Sequence, residues 1–475
     1  MAQFGPEDPS LWLTRKLGYW EAQIFGNMDH TSHCDIVMNV CLKADHIDPD
    51  WLAEAHRALC YNQPNFRTHV ERGEDGGIYF IPATDFSDIF EFVDESGATD
   101  GVTGYAGCWE FAEKLVNRGW VFGTGKPFIK TYLIKRPDCY ILLNKYHHGV
   151  GDGTTGNRIV NELLRQYDLL QSGKELDLSP VTPLISAEDM SKCVQNDKLV
   201  EDWIENRVER AKTQEILLPL NKEEVAASQA GKPWINRTLH SLGTAEGMFQ
   251  LKALCKKLGV TVGSHSFAVL FHAVAAVHVR RKGGEFPEGG IPTIYSDVVG
   301  NLRSRVEPNP GECFMLCIAE LEIKEKIERD TKLLNTTRNI SQQLKKCLGE
   351  NRLALFAQYK EGLETGKHSK VFNSYPGGSY SEFLPSNMVT YSYPTKFSWG
   401  EVTSAHLLGA YWCPFFSNQV VLYQSVNGVM NYVVTCCDGE SHVKDAGEVL
   451  ELFVKVMENS DRITEETTVM DLLGF

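Results

Sequence analysis

The stretch His147-His148-Gly149-Val150-Gly151-Asp152-Gly153 carries the strongest signal in this chain. It follows two β-like runs, IKTYLI at Ile129 to Ile134 and YILLNKY at Tyr140 to Tyr146, joined by the turn Lys135-Arg136-Pro137-Asp138. Two apolar runs so close together, with Pro and Asp between them, predict a hairpin. After the stretch, Ile159, Leu163 and Leu170 mark the apolar face of a helix, with Thr154 or Thr155 placed to cap its start. A histidine at a strand end, followed by a tight glycine-containing turn, projects its imidazole into a cleft. That group suits a general base, because a neutral alcohol must lose its proton as it attacks and imidazole titrates in the right range. Asp152, four residues on, bends back into the protein, so its expected work is to hold the loop by pairing with an arginine elsewhere.

Working outward, Leu13, Leu17, Trp20 and Ile24 give a helical pattern across Leu11 to Phe25, and a second helix is expected over Pro49 to Tyr61. Beyond the motif, Ser172-Gly173 and the Pro180/Pro183 pair open a mixed segment reaching residue 235, which includes a charged helical stretch from Asp197 to Gln214. The second half predicts a helix over Gly247 to Leu258, a cap at Thr261 and a largely buried helix over Ser264 to Val279. A glycine-rich loop, Gly283-Gly284 to Gly289-Gly290, then precedes strands at Ile291 to Val299, Asn387 to Tyr393, Gln419 to Tyr423 and Val429 to Cys436. A last amphipathic helix covers Asp445 to Glu458. No short repeat is visible. Alternating helices and strands argue for an α/β (α+β layered) protein, with an N-terminal lobe over 1–180, a linker and helix over 181–235, and a C-terminal lobe over 236–475.

At 475 residues the chain exceeds one ordinary core of about 100 to 200 residues, and 43% hydrophobic with 23% charged residues is the composition of a folded enzyme. A net charge of −15 lacks the electrostatic footprint of a nucleic-acid or anionic-membrane binder. The N-terminus, MAQFGPEDPSLWLTRKLGYW, places two acids and two prolines before any basic residue, unlike a secretory signal. The nearly apolar run Phe267 to Val279 is shorter than the about 20 residues that span a bilayer. A cytoplasmic protein fits both facts; a monomer is expected, and the 13 scattered cysteines are expected to be mostly reduced and structural.

The HHxxxDG pattern of His147, His148, Asp152 and Gly153 resembles the superfamily of chloramphenicol acetyltransferase, the BAHD acyltransferases and the condensation domains of nonribosomal peptide synthesis. PFIKTYLIK before it and LKALCKKLGVTVGSHSFAVLFHAV further on look like corresponding elements, and the layout looks most like stand-alone fungal acetyltransferases acting on trichothecene hydroxyls. The resemblance implies two lobes of mixed sheet flanked by helices, with a tunnel between them. It makes His148 the general base, Asp152 the anchor, and His147 and Gly153 supporting residues. It further implies an anchoring arginine on the second lobe, supplied by Asn301-Leu302-Arg303-Ser304-Arg305, with Arg303 the first choice and Arg305 the second. Thr390 and Ser392 are candidate oxyanion donors. Trp399 is a candidate tunnel residue, although Lys396-Phe397-Ser398-Trp399-Gly400 departs from the BAHD segment DFGWG in its Lys and Ser.

The implied activity is O-acetylation of a hydroxylated secondary metabolite by acetyl-CoA or another acyl-CoA, with no permanently bound cofactor. The rivals are ester or amide formation from a carrier-protein thioester supplied in trans, and an inactive metabolite-binding scaffold. Loops such as Gly366 to Glu382 are expected to set acceptor choice. Other motifs carry less. Phe122-Gly123-Thr124-Gly125-Lys126-Pro127 reads as a turn before a strand, because its glycines are misplaced for a phosphate loop and proline follows the lysine. His30, His33 and Cys34 lack a second ligand pair for zinc, so no metal is expected. Cys436-Cys437 reads as buried thiols, and no GxSxG elbow is present.

Overall fold

A computed structural model describes residues 13–26, 34–97, 109–190, 205–206, 208–219, 235–349, 381–409 and 417–474. His30, His33, the start of the Asp197 to Gln214 stretch and most of the Gly366 to Glu382 loop lie outside these residues.

In chain order the first elements are β1 (Arg15–Lys16), α1 (Tyr19–Gly26), β2 (Asp35–Lys43), α2 (Pro49–Asn62), β3 (Thr68–Arg72), β4 (Ile78–Pro82), β5 (Phe90–Asp94) and α3 (Trp109–Val116). Then come β6 (Ile129–Lys135), β7 (Tyr140–His147), α4 (Gly153–Gln171), the short α5 (Ala187–Met190), β8 (Asn236–Leu242), α6 (Ala245–Leu258) and α7 (Val262–Arg281). The remainder are β9 (Ile294–Asn301), β10 (Ile318–Glu325), α8 (Leu333–Gly349), β11 (Leu384–Thr390), β12 (Lys396–Phe397), β13 (Gly400–Gly409), β14 (Gln419–Val426), β15 (Val429–Cys437), α9 (Glu440–Glu458) and α10 (Val469–Leu472).

The chain divides into two compact units, each drawing on separate stretches of sequence. Unit 1 takes residues 1–192, 301–318 and 391–410. Its six-stranded sheet runs β12-β13-β2-β7-β6-β5, mixed because β5 and β6 are parallel and the other pairs antiparallel. β2 and β7 lie at its centre and are buried on both faces, which explains their near-continuous apolar runs. The pleat sends Met38 and Tyr146 toward α4, while Asn39 and its cross-strand partner His406 point to the opposite face, where Trp109 of α3 packs edge-on against His406. A Cβ at Gly156 would stand 2.7 Å from the Tyr146 hydroxyl and 2.9 Å from Met38. Gly156→Ala should therefore cost about 1–3 kcal/mol through overpacking, seen as a lowered thermal midpoint.

Unit 2 takes residues 193–300, 319–390 and 411–475. Its main sheet, β11-β14-β15-β8, is again mixed, with β11 and β14 parallel. The α7 helix is 20 residues long and apolar enough to cross a membrane by length and composition. Every residue from Gly263 to Val279 is nevertheless buried inside the unit, as expected of an all-round apolar helix that forms the centre of a core. Thr261 caps it, as its sequence position predicts.

Element boundaries differ from the sequence reading where tertiary contacts intervene. The first helix begins only at Tyr19, because Arg15 and Lys16 pair as a strand with β4. The strand expected over Ile291 to Val299 runs from Ile294 to Asn301, and the one expected over Asn387 to Tyr393 runs from Leu384 to Thr390. The segment Phe122 to Pro127 is a turn, with Gly123 and Gly125 at φ 68° and 70°. The ten described cysteines are free thiols, and Cys436 and Cys437 are buried in β15.

Candidate active site

The motif begins where β7 leaves the sheet. Its neighbours hold the strand end on both sides: the His147 N–H donates to the Phe128 carbonyl at 3.1 Å, and the His148 N–H to the Cys34 carbonyl at 2.7 Å. One 3₁₀ turn, His148–Val150, follows, and Asn65 Nδ2 donates to the Val150 carbonyl at 3.3 Å. The backbone of His148 is thus fixed by main-chain bonds that any residue at that position could make, which leaves the side chain free for chemistry.

The His148 imidazole is half-buried. Its Nδ1 is enclosed without a hydrogen-bond partner that meets ordinary geometry. Burial lowers its pKa from the ordinary 6.5, while backbone groups of His148 and Gly151 and the charge of Asp152 act in the opposite direction. The net effect favours the neutral, proton-accepting ring.

Asp152 is 1% exposed and closes the corner between the turn and α4. It, and not Thr154 or Thr155, is the N-cap: its Oδ1 accepts the Thr155 N–H at 3.0 Å. The carboxylate wins that position because it also receives Arg303, with Nη1 at 2.7 Å from Oδ2 and Nη2 at 3.1 Å from Oδ1, and the Cys317 N–H at 3.0 Å. A buried carboxylate so fully hydrogen-bonded stays ionised. Burial pushes its pKa up, yet Arg303 and these donors outweigh burial and hold it below the ordinary 3.8. The Tyr146 hydroxyl donates to the Asp152 carbonyl at 2.8 Å, and Gly153 opens the helix.

Arg303 comes from the second half of the sequence but belongs to unit 1, contrary to the expectation of a residue on the second lobe. The segment that carries it is fastened there by Leu302 N–H to the Cys317 carbonyl at 3.0 Å, by Arg303 Nη2 to the Met315 carbonyl at 2.9 Å and by Phe314 N–H to Gln63 Oε1 at 3.0 Å. Arg305 is exposed and is not the partner of Asp152.

Thr390 is exposed at the end of β11 in unit 2, with its hydroxyl 2.9 Å from that of Ser425. Ser392 is exposed. Trp399 stacks on Phe397 and meets the edge of Tyr167; Tyr167 lies about 20 Å along α4 from Gly153 at the helical rise of ~1.5 Å per residue. Trp399 therefore belongs with the far end of that helix. Among the described residues no group of three or more His, Cys, Asp or Glu side chains is arranged to hold a metal.

Sequence reasoning missed Thr155, Asn65 and Cys317. Cys317 acts through its main-chain N–H, which leaves no trace in residue type. In the sequence Thr155 reads only as a cap, whereas its hydroxyl bridges Asp152 at 3.3 Å and the Met315 carbonyl at 3.3 Å.

The condensation-domain family model matches residues 20–278, more than half of the chain, and the chain belongs to that family. Its fold is that of the condensation and chloramphenicol-acetyltransferase-like acyltransferases. Among curated proteins it is similar to cyclosporin synthetase simA of Tolypocladium inflatum, 24% identical over 265 residues; the match takes in 53% of this chain and 2% of the synthetase. Among solved structures it resembles the first condensation domain of the calcium-dependent antibiotic synthetase in complex with a substrate analogue, at TM-score 0.69 and 13% identity, covering 97% of this chain and 98% of that one. It equally resembles TRI3 trichothecene 15-O-acetyltransferase from Fusarium sporotrichioides, at TM-score 0.69 and 12% identity over 95% and 99% of the two chains. Polyketide synthase associated protein 5 from Mycobacterium tuberculosis gives TM-score 0.64 and 16% identity over 94% and 98%. Identities this low speak for the fold alone.

Proposed function

We propose that the chain transfers an acyl group from a thioester donor to a hydroxyl or amine, with His148 as general base. The observation that carries this reading is a half-buried imidazole whose ionisation is biased toward the neutral form and whose backbone is held by the flanking strands. In the reaction His148 accepts the acceptor's proton as its oxygen or nitrogen attacks the thioester carbonyl. The tetrahedral adduct then collapses, and the same proton passes to the departing thiolate. The Asp152–Arg303 pair stays ionised throughout and keeps the turn in place.

Acetyl-CoA is the favoured donor and a hydroxylated secondary metabolite the favoured acceptor, with the protein acting as a cytoplasmic monomer that needs no resident metal or prosthetic group. Membership of the condensation-domain family, with a synthetase among the relatives, favours a second donor, a thioester on a carrier protein. Mass spectrometry of acceptor mixtures incubated with acetyl-CoA, or with a carrier protein loaded with an acyl group, separates the two. No product with either donor, or a product formed equally by His148→Ala, removes the reading.

The direction of the His148 shift sets the pH dependence. A base whose pKa lies below 6.5 is already neutral above that value, so kcat/KM should be flat there and fall on acidification with a midpoint under 6.5. An acid limb centred at or above 6.5 would contradict the assignment.

A further inference from the structure

Against the motif turn packs an aromatic group whose purpose the motif does not explain. Phe25, the last apolar residue of α1, is fully buried. Its ring lies flat on the His147 imidazole, with centroids 4.2 Å apart and planes 18° from parallel. Phe80 and Phe122 meet it edge-on at 5.8 and 6.2 Å, and Phe128 is tilted against it at 5.1 Å, so the ring is held on several sides. The same ring occupies the space where a side chain at residue 149 would begin: a Cβ on Gly149 would stand 2.2 Å from Phe25 Cε2, 2.5 Å from Cδ2 and 2.9 Å from Cζ. Gly149 is not among the glycines with left-handed backbone. Its requirement here is therefore steric, and the obstacle is Phe25.

His147 links this packing to the turn. Its Nδ1 accepts the Gly149 N–H at 3.1 Å, which caps the 3₁₀ turn that carries His148. Acceptance at Nδ1 requires the neutral ring with its proton on Nε2. The ring must also keep its plane, because rotation carries Nδ1 away from the Gly149 N–H, and the parallel Phe25 face opposes that rotation.

We propose that Phe25 is a positioning residue for acyl transfer: by stacking on His147 and closing against Gly149 it sets the turn that aims the His148 imidazole. The proposal rests on the reading of His148 as general base. Phe25 touches neither substrate nor reacting atoms, and its effect passes through His147 and Gly149. Misplacement of a reacting group by about 1 Å costs on the order of 100-fold in rate, so a loosened brace should appear in kcat.

The test is a double-mutant cycle on the full chain, with release of free thiol from acetyl-CoA, in the presence of an acceptor that the wild type uses, as the assay and rates normalised to folded protein. Phe25→Leu should lower kcat roughly 10- to 100-fold with KM for acetyl-CoA unchanged. Gly149→Ala should lose at least as much in the wild-type background. In the Phe25→Ala background the further loss on adding Gly149→Ala should shrink to about twofold or less, because the obstructing ring is gone. Phe25→Leu also provides the milder variant if Phe25→Ala fails to fold. Imidazole ¹⁵N spectra give a readout that does not depend on turnover: His147 Nδ1 should carry the signature of an unprotonated acceptor in the wild type and lose it in Phe25→Leu. Equal losses from Gly149→Ala with and without the ring, or a Phe25→Leu enzyme with wild-type kcat and an unchanged His147 signal, would overturn the proposal. A wild type that releases no thiol beyond the His148→Ala level with acetyl-CoA or with a carrier-bound thioester overturns the acyl-transfer reading instead, and the positioning role with it.

Discussion

With His148 replaced by alanine, turnover of any donor and acceptor that the wild type uses should fall about 10²- to 10⁴-fold, the share that one positioned general base supplies. The fold should survive the change. The main-chain N–H of residue 148 still reaches the Cys34 carbonyl, the ring Nδ1 has no hydrogen-bond partner among the described residues that the substitution would orphan, and the residue is half-buried. Thermal unfolding should therefore move by no more than a few degrees while product formation collapses. The separation is diagnostic: a variant that loses activity by unfolding says nothing about proton transfer, whereas one that keeps its transition and loses turnover places the imidazole in the reaction. Turnover retained at the wild-type level would remove His148 from the mechanism.

Asp152→Asn should produce the opposite pattern, a large loss of stability together with loss of activity. The asparagine keeps an oxygen for the Thr155 N–H but cannot carry the charge that Arg303 faces. Arg303 is 6% exposed, so its guanidinium is left buried without a counterion, and breaking such a pair from one side costs about 3–5 kcal/mol. Denaturant unfolding measures the loss. Adding Arg303→Met should recover part of it, since the stranded charge is then gone; no recovery would mean that the cost came from the corner's hydrogen bonds and not from the charge. The pair also gives the acid behaviour of unit 1. Because the folded carboxyl titrates below the ordinary 3.8, its contribution is complete above that value and disappears as the pH falls through its folded pKa.

The two experiments separate what the motif combines. His148 and Asp152 are four residues apart, yet one is held by backbone so that its side chain is unencumbered, and the other is held by its side chain so that the backbone turns. In this arrangement the imidazole and the carboxylate do not compete for the same hydrogen bonds.

The hairpin before the motif, the helix after it and the buried α7 helix were legible in the sequence because each is a local pattern: two apolar runs across a turn, an apolar stripe at helical spacing, and a threonine three residues before a serine at a helix start. The choice of Arg303 over Arg305 required the resemblance, since two arginines separated by one residue look alike until one is buried against a carboxylate and the other reaches water. Three things had no local signature at all. The cap of α4 falls on Asp152 because a charge from 151 residues away joins it there; strand β13 enters the sheet beside β2 from the far end of the chain; and the need for glycine at 149 comes from a ring contributed by α1. Periodicity and turn chemistry act within a few residues and are written in the sequence, whereas these pairings depend on which distant segments the folded backbone brings within a few ångströms, and only the tertiary structure decides that.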